Sequence, residues 1–556
     1  MPPITRRHFV IASAAALLGA CTSDDRDVPM GPDAGEPPLS VARFRNGVAS
    51  GDPLADGVVL WTRAVPVSAT DTMARVRYEL AADPAFVELV GSGLVQTDAM
   101  RDWTIKIDLS GLQPDRAYYY RFRSASEMSP TGRTRTAPLG ATPRLRLAFV
   151  TCSNYVAGYF HAYRRIAERR DLHAVVHLGD YIYENGADGP VRAHQPPREL
   201  LTLADYRERY AQYRADEDLQ ELHRQHPMIW VWDDHEIANN AWRAGAEAHD
   251  PAQEGDYATR RAAAMQAAFE WMPIRLPDAG DPARIWRGFT FGDLADLAMI
   301  DTRHYGRDQA AEPNGLFADA LPVFTQSGDF ADPARQLLGV PQQQWLVDRI
   351  GSGRARWQLI GNQVYFSPLK LLGSPRALGG GGLYLSNDKW DGYDPARSVL
   401  LQAMAARDNV VVLTGDAHEA YAFEITDDPN GPGYQPLTGD GAVGVEFVAT
   451  SISSRGDPGQ GTGITAIVER TQAQAEQLLR VSNPHLKYYQ NTLNGYLLID
   501  LSEARLQAEF WMVPQVGVRT DQQFLDRSYA VDAGRHRLQP MSTASEPIAD
   551  APLPAP

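Results

Sequence analysis

Between residues 144 and 451 the chain repeats one pattern: a short apolar run, then an abrupt polar cluster. The runs are 144–150 (RLRLAFV), 173–178 (HAVVHL), 227–232 (PMIWVW), 296–301 (DLAMID), 356–362 (RWQLIGN), 409–414 (NVVVLT) and 445–451 (VEFVATS), and they read as strands. Stretches with helical spacing lie among them at 158–170, 203–225 and 256–273. In the second of these, Leu203, Tyr206, Tyr210 and Tyr213 share one face, which predicts core packing rather than a cofactor surface. Residues 494–513 read as an antiparallel hairpin. The alternation predicts a mixed α/β layered domain over 144–515, with antiparallel strands added to a partly parallel sheet. The C-terminal extension, 516–556, turns Pro-, Ala- and Ser-rich after about residue 535, and that end is expected to be disordered.

Upstream, the texture differs. Residues 58–64, 74–82, 88–96, 103–112 and 117–125 are strand-like runs rich in Val, Ile, Tyr and Thr, separated by turn residues. They predict an N-terminal all-β sandwich of fibronectin or immunoglobulin type over 41–140, an accessory domain without chemistry of its own. A chain of 556 residues, 44% hydrophobic, is too long for one compact core, which agrees with such a division.

The first 21 residues read as a targeting segment. Thr5-Arg6-Arg7-His8-Phe9-Val10 precedes the apolar run IASAAALLGA, which is far short of the roughly 20 residues a membrane helix needs. Paired arginines before such a run resemble a twin-arginine (Tat) export signal, which makes the Tat machinery an expected partner. Leu18-Gly19-Ala20-Cys21 resembles a bacterial lipoprotein cleavage box, so Cys21 is the expected lipidated residue, with ordinary signal cleavage nearby as the alternative. Residues 22–40 are the tether. The expected location is the periplasm or cell envelope, with possible membrane attachment through lipidated Cys21. A formal net charge of −16 argues against a nucleic-acid partner.

The polar clusters carry the chemistry. Cys152-Ser153-Asn154, Asp180-Tyr181-Ile182-Tyr183-Glu184, Asp233-Asp234-His235-Glu236 with Asn239-Asn240, and Asp416-Ala417-His418-Glu419 each follow an apolar run. In open α/β sheets such loops converge beyond the carboxyl ends of strands. Crowded carboxylates repel one another, and a cation removes that penalty. Cys152 has no cysteine partner once Cys21 is consumed, because the chain has only two cysteines. Thiol and phenol are barely ionised when free, and a strongly Lewis-acidic ion would deprotonate both. Ferric iron (Fe3+) suits a Cys152–Tyr183 pair. The oxygen-rich remainder suits calcium (Ca2+), or less readily Mg2+ or Mn2+, and zinc is disfavoured.

The segments NGVASGDPLADGVVLWTR, TCSN, HLGDYIYE, VWDDHEIANN, EWMPIR, MIDTRHYGRDQ, NQVYFSP and LTGDAHEAYAFEI span nearly the whole chain. In this order they resemble the PhoD-like alkaline phosphatases and phosphodiesterases, a branch of the calcineurin-like metallophosphoesterases. The resemblance implies the four-layer α/β fold of that superfamily and a site with one ferric iron and two calcium ions. Carried over, Cys152, Asp180 and Tyr183 would bind iron, with Asp180 bridging to calcium. Asp233, Asn240, Asp416 and His418 would complete the cluster. The family's phosphate-binding arginine lies on the helix before EWMP, where Arg260 adjoins Arg261, and the resemblance favours Arg260. Asp180, Asp416, His418 and Arg260 are thus the expected catalytic residues.

The implied activity is hydrolysis of phosphate monoesters, diesters or both, with a metal-bridging oxygen or hydroxide attacking phosphorus. His235 is a candidate for proton transfer or for a purely structural hydrogen bond. A dedicated phosphodiesterase acting on nucleotides, lipids or polymers is the alternative, since loops 185–200 and 306–330 are variable and set substrate preference. A non-catalytic envelope-binding lipoprotein is the remote alternative.

Overall fold

A computed structural model describes residues 36–186, 189–314, 323–378, 380–454 and 472–556, with the two-residue strand Arg6–Arg7. Cys21 and most of the leader and tether therefore lie outside the described residues. The structure is built on two mixed sheets, one of eleven strands and one of seven. In the larger, Arg144–Val150, Ala174–His177 and Pro227–Trp230 run parallel at the centre, and Asn494–Ser502 and Arg505–Val513 add antiparallel strands on one side. In the smaller, Ala295–Met299, Trp357–Asn362, Val410–Thr414 and Gly444–Val448 form the parallel centre. These strands match the apolar runs of the sequence.

The parallel strands Ala295–Met299, Trp357–Asn362 and Val410–Thr414 carry apolar side chains on both faces because each face meets a different core. Leu297, Leu359 and Val411 join the cluster that contains Leu147, Val175 and Ile229 of the larger sheet. Their neighbours Ala298, Ile360 and Val412 turn to the other side, against Leu346, Ile350, Leu400 and Met404 of two outer helices, Val340–Ser352 and Asp394–Ala405. The side-chain period of two along a strand produces this division.

Two expectations are corrected, and one boundary is closer-knit than the strand pattern implies. The N-terminal region is β-rich as expected, but it is not self-contained. Val48–Leu54, Gly57–Arg63 and Thr104–Ser110 belong to the eleven-stranded sheet, joined to it by parallel pairing of Ser50 with Pro227 and Gly51 with Met228. Only Met73–Ala81, Leu89–Asp98, Ala117–Arg123 and Gly132–Arg135 form a separate four-stranded sheet, packed over Val58, Leu60, Ile105 and Ile107. Hydrophobic alternation marks a strand but not its neighbour, so this pairing across the boundary near residue 140 was not legible in the sequence.

The stretch 203–225 is two helices, Leu203–Tyr213 and Glu217–Gln225. Asp216 stands between them in extended backbone and accepts from Asp218 N and Leu219 N, both at 3.0 Å. An aspartate cap that starts a new helix outweighs the continuous helical spacing. Tyr206, Tyr210 and Tyr213 are nevertheless fully buried, as core residues should be.

The tail is ordered rather than disordered. Gln539–Met541 adds a strand to Phe524–Asp532. The last residues lie against arginines: Arg170 donates to Ala551 O (2.9 Å), Arg133 to Pro552 O (3.2 Å) and Arg224 to Pro556 O (2.9 Å). Tyr119 donates to Leu553 O at 2.7 Å. Prolines offer bare carbonyls, which suits a segment held by side-chain donors instead of a ladder. No helix among the described residues is long and apolar enough to cross a membrane.

Candidate metal centre

The ligand loops leave the carboxyl ends of parallel strands in both sheets, and two glycines let them meet. Gly179 has φ +105°, and a Cβ there would lie 2.4 Å from Asp233 N. At Gly415 a Cβ would lie 2.5 Å from Thr151 Oγ1. Each Gly-Asp pair thus combines a residue without a side chain, where two loops touch, with a carboxylate directed into the space between them. Glu236 ties the loops together, accepting from Asp180 N (3.1 Å), Tyr181 N (2.6 Å) and Asp233 N (2.7 Å).

Five of the seven expected ligands sit in the left-handed backbone region: Cys152 (φ 58°), Asp180 (56°), Asn240 (51°), Asp416 (60°) and His418 (58°). Eleven non-glycine residues among those described have such a φ, so nearly half are in this one place. Each costs roughly 1–2 kcal/mol, and strain of this kind gathers where side-chain placement matters more than stability.

Three donor sets overlap, each with its ligand atoms within 4.8 Å of one another: Cys152, Asp180 and His418; Asp180, Asp234 and His235; Asp233, Asp234 and Asp416. The Tyr183 hydroxyl donates to Asp180 Oδ2 at 3.1 Å and lies 3.0 Å from His418 Nε2. Six of the seven expected ligands therefore converge. Asn240 is peripheral, since its backbone N–H donates to Asp234 Oδ2 (2.6 Å) while its side chain donates to Glu247.

Electrostatics mark the cluster as one that wants cations. Burial, then the Asp180 carboxylate, pushes the Cys152 thiol and the Tyr183 phenol well above their ordinary pKa values. Burial likewise raises Asp180 and Asp233. Asp234 is lowered against the pull of burial, by Arg303 and then His235. His235 is raised, also against burial, chiefly by Glu184, whose Oε2 is 2.6 Å from Nδ1. Asp233 Oδ2 is buried without a hydrogen-bond partner among the described residues, an orphaned oxygen of the kind a metal ion would satisfy. The donor set, with its thiol, phenol, imidazoles and carboxylates, fits a mixed hard and borderline metal cluster.

Comparison with known proteins agrees with the geometry. The family model "PhoD-like phosphatase" matches residues 147–510, and that of its N-terminal domain matches residues 32–138. The chain belongs to the PhoD-like phosphatases. It is 35% identical over 497 residues to alkaline phosphatase D of Bacillus subtilis (strain 168), covering 86% of this chain and 79% of that one. The solved structure described as "Structure of PhoD" superposes with a TM-score of 0.79 at 33% identity, covering 92% of this chain and 94% of its own. A PhoD-like phosphatase is a hydrolase, and this chain is a phosphatase.

Within this PhoD-like phosphatase, two arginines stand differently toward the cluster. Among the described residues, Arg260 turns away from it. Its nitrogens go to Tyr206 (3.1 Å), Ala248 O (3.3 Å), Glu254 (3.1 Å) and Glu199 (2.7 Å). Arg303, which follows the strand Ala295–Met299, instead sits among the carboxylates. It donates to Asp233 Oδ1 and Asp416 Oδ1, both at 2.5 Å, and to Asp388 Oδ2 at 2.8 Å. Lys389 pairs with Asp416 as well. Sequence reasoning passed over Arg303 although it ends a strand–loop unit, because MIDTRHYGRDQ, with only the separate Asp301 and Asp308, lacks the Gly-Asp and Asp-Asp pairs that drew attention elsewhere. It also passed over Asp234 as a ligand. The strand Pro227–Trp230 has already ended there, so consecutive side chains need not face opposite ways.

Proposed function

We propose that this chain is an exported phosphoesterase that hydrolyses phosphate monoesters, diesters or both at a cluster holding iron and calcium. The observation that carries the reading is the buried convergence of Cys152, Asp180, Tyr183 and His418 on one side and Asp233, Asp234 and Asp416 on the other. The first group would hold iron and the second would hold calcium, with Asp180 shared. Bound cations there would lower the pKa of water and neutralise phosphoryl oxygens. Arg303 and Lys389 supply cationic donors beside the same carboxylates, and paired N–H groups suit phosphoryl oxygens. His235, held by Glu184 and packed at a 30° tilt on Tyr183 with ring centroids 4.2 Å apart, is oriented to move a proton. The calcineurin-like layered arrangement and the fibronectin-like N-terminal region belong to the same reading; the two facing mixed sheets support the first.

Arg6-Arg7, the apolar run after it and Cys21 support export by the twin-arginine route and lipid attachment. Metal analysis of the natively exported protein is the deciding experiment. Iron and calcium should be present, with visible absorption from phenolate on ferric iron. Asp180→Asn and Cys152→Ala should lose metal and activity together, and retention of both would sink the assignment. The rate ratio for p-nitrophenyl phosphate against its bis ester separates monoesterase from diesterase.

A further inference from the structure

Arg214 follows the helix Leu203–Tyr213 and is fully buried. Its guanidinium stacks on Trp61, 4.1 Å from the ring centroid. Its Nε, Nη1 and Nη2 are all buried without a hydrogen-bond partner among the described residues. Other buried arginines differ. Arg209 donates to the carbonyls of Asn185, Gln195 and Pro196, Arg260 pairs with Glu199 and Glu254, and Arg303 pairs with four aspartates.

Nothing anionic compensates Arg214. Burial lowers its pKa, opposed only by the Tyr181 phenol, through charge and a long, weak hydrogen bond, and by the charge of Tyr120; no carboxylate acts on it. The Tyr181 hydroxyl is already 2.8 Å from His223 Nε2. The Tyr120 hydroxyl and the Ser50 Oγ beside it are buried and have no partner but each other among the described residues, and His223 Nδ1 is buried and unpartnered there. A buried charge without a counter-charge carries a desolvation cost that the surrounding side chains do not offset. Water could accept the N–H bonds but would leave the charge standing.

We propose that Arg214, with the hydroxyls of Tyr120 and Ser50, forms an internal site for a small monovalent anion of the halide class. One guanidinium balances one negative charge, and the Tyr120 hydroxyl, with Ser50 beside it, lies close enough to interact with that guanidinium. The site lies on a seam. Ser50, Trp61 and Tyr120 come from the N-terminal β region, and Arg214 and His223 from the helices against it. Tyr181 directly follows the ligand Asp180. The anion would pin these parts together, away from the reacting atoms.

The test uses the full chain, crystallised with bromide replacing chloride. An anomalous bromide peak within hydrogen-bond distance of the Arg214 guanidinium supports the site, and water alone there overturns it. In solution, Tm should rise by about 2–4 °C as chloride replaces gluconate at constant ionic strength, and Arg214→Met should abolish the rise. A halide effect of equal size in that variant would also overturn the proposal. Should Arg214→Met fail to fold, the bromide map of the unaltered protein decides alone.

Discussion

Arg303 Nη2 lies 2.5 Å from Asp416 Oδ1, while Nε of the same guanidinium lies 2.5 Å from Asp233 Oδ1. One cation thus joins ligand loops from the two sheets. Removing one partner of a buried ion pair costs about 3–5 kcal/mol because the other charges stay buried. Arg303→Met should therefore lower the Tm of metal-free protein markedly. Added calcium should restore more stability in the variant than in the parent, since it would replace the lost positive charge. Thermal melts with chelator and with calcium check both arms, and phosphatase activity should fall as well.

Gly179→Ala should abolish metal binding while leaving most of the fold. A Cβ at φ +105° would meet Asp233 N at 2.4 Å, so the two loops must separate. Metal content measured alongside circular dichroism tells a local effect from global unfolding, and normal metal content would contradict the account.

Asn240 offers a clean view of the strain, because its φ of 51° suits glycine better than alanine. Asn240→Gly should be more stable than Asn240→Ala by roughly 1 kcal/mol. Equal denaturation midpoints would show that this backbone relaxes freely.

Asp391 predicts a pH effect away from the centre. Burial pushes its pKa up to about 7, and its Oδ1 has no partner among the described residues. The folded state then keeps a proton that the unfolded state releases near pH 4. Stability from this group is fully present below that pH and is lost as pH rises toward 7. Asp391→Asn should match the parent at pH 4 and exceed its stability at pH 8 by at least about 1.4 kcal/mol, the worth of one pKa unit. Urea melts at the two pH values check the sign.

Deleting residues 545–556 should destabilise the protein. Arg133 and Tyr119 on the N-terminal side and Arg170 and Arg224 on the catalytic side would lose their carbonyl acceptors. The buried donors of Tyr119 and Arg133 would cost about 1–3 kcal/mol each when abandoned, whereas the exposed Arg170 and half-buried Arg224 can turn to water. Calorimetry should show a lower Tm, and an unchanged value would mean that the tail only covers the surface.

The sequence alone determined the central parallel strands, the ligand types and six of the seven residues that converge. Apolar runs ending in Asp, His or Cys are local features, and local periodicity and side-chain chemistry report them directly. The family was legible for the same reason, in contiguous segments such as HLGDYIYE and LTGDAHE. Only the tertiary structure decided what depends on distant neighbours. It joined Val48–Leu54 to Pro227–Trp230, docked a proline-rich tail on arginines from two regions, and split one helical stretch at Asp216. It also sent Arg260 to Glu199 and brought Arg303 to Asp233 and Asp416. An arginine's role is set by which carboxylates the fold places within reach, and its neighbours in sequence carry no record of that.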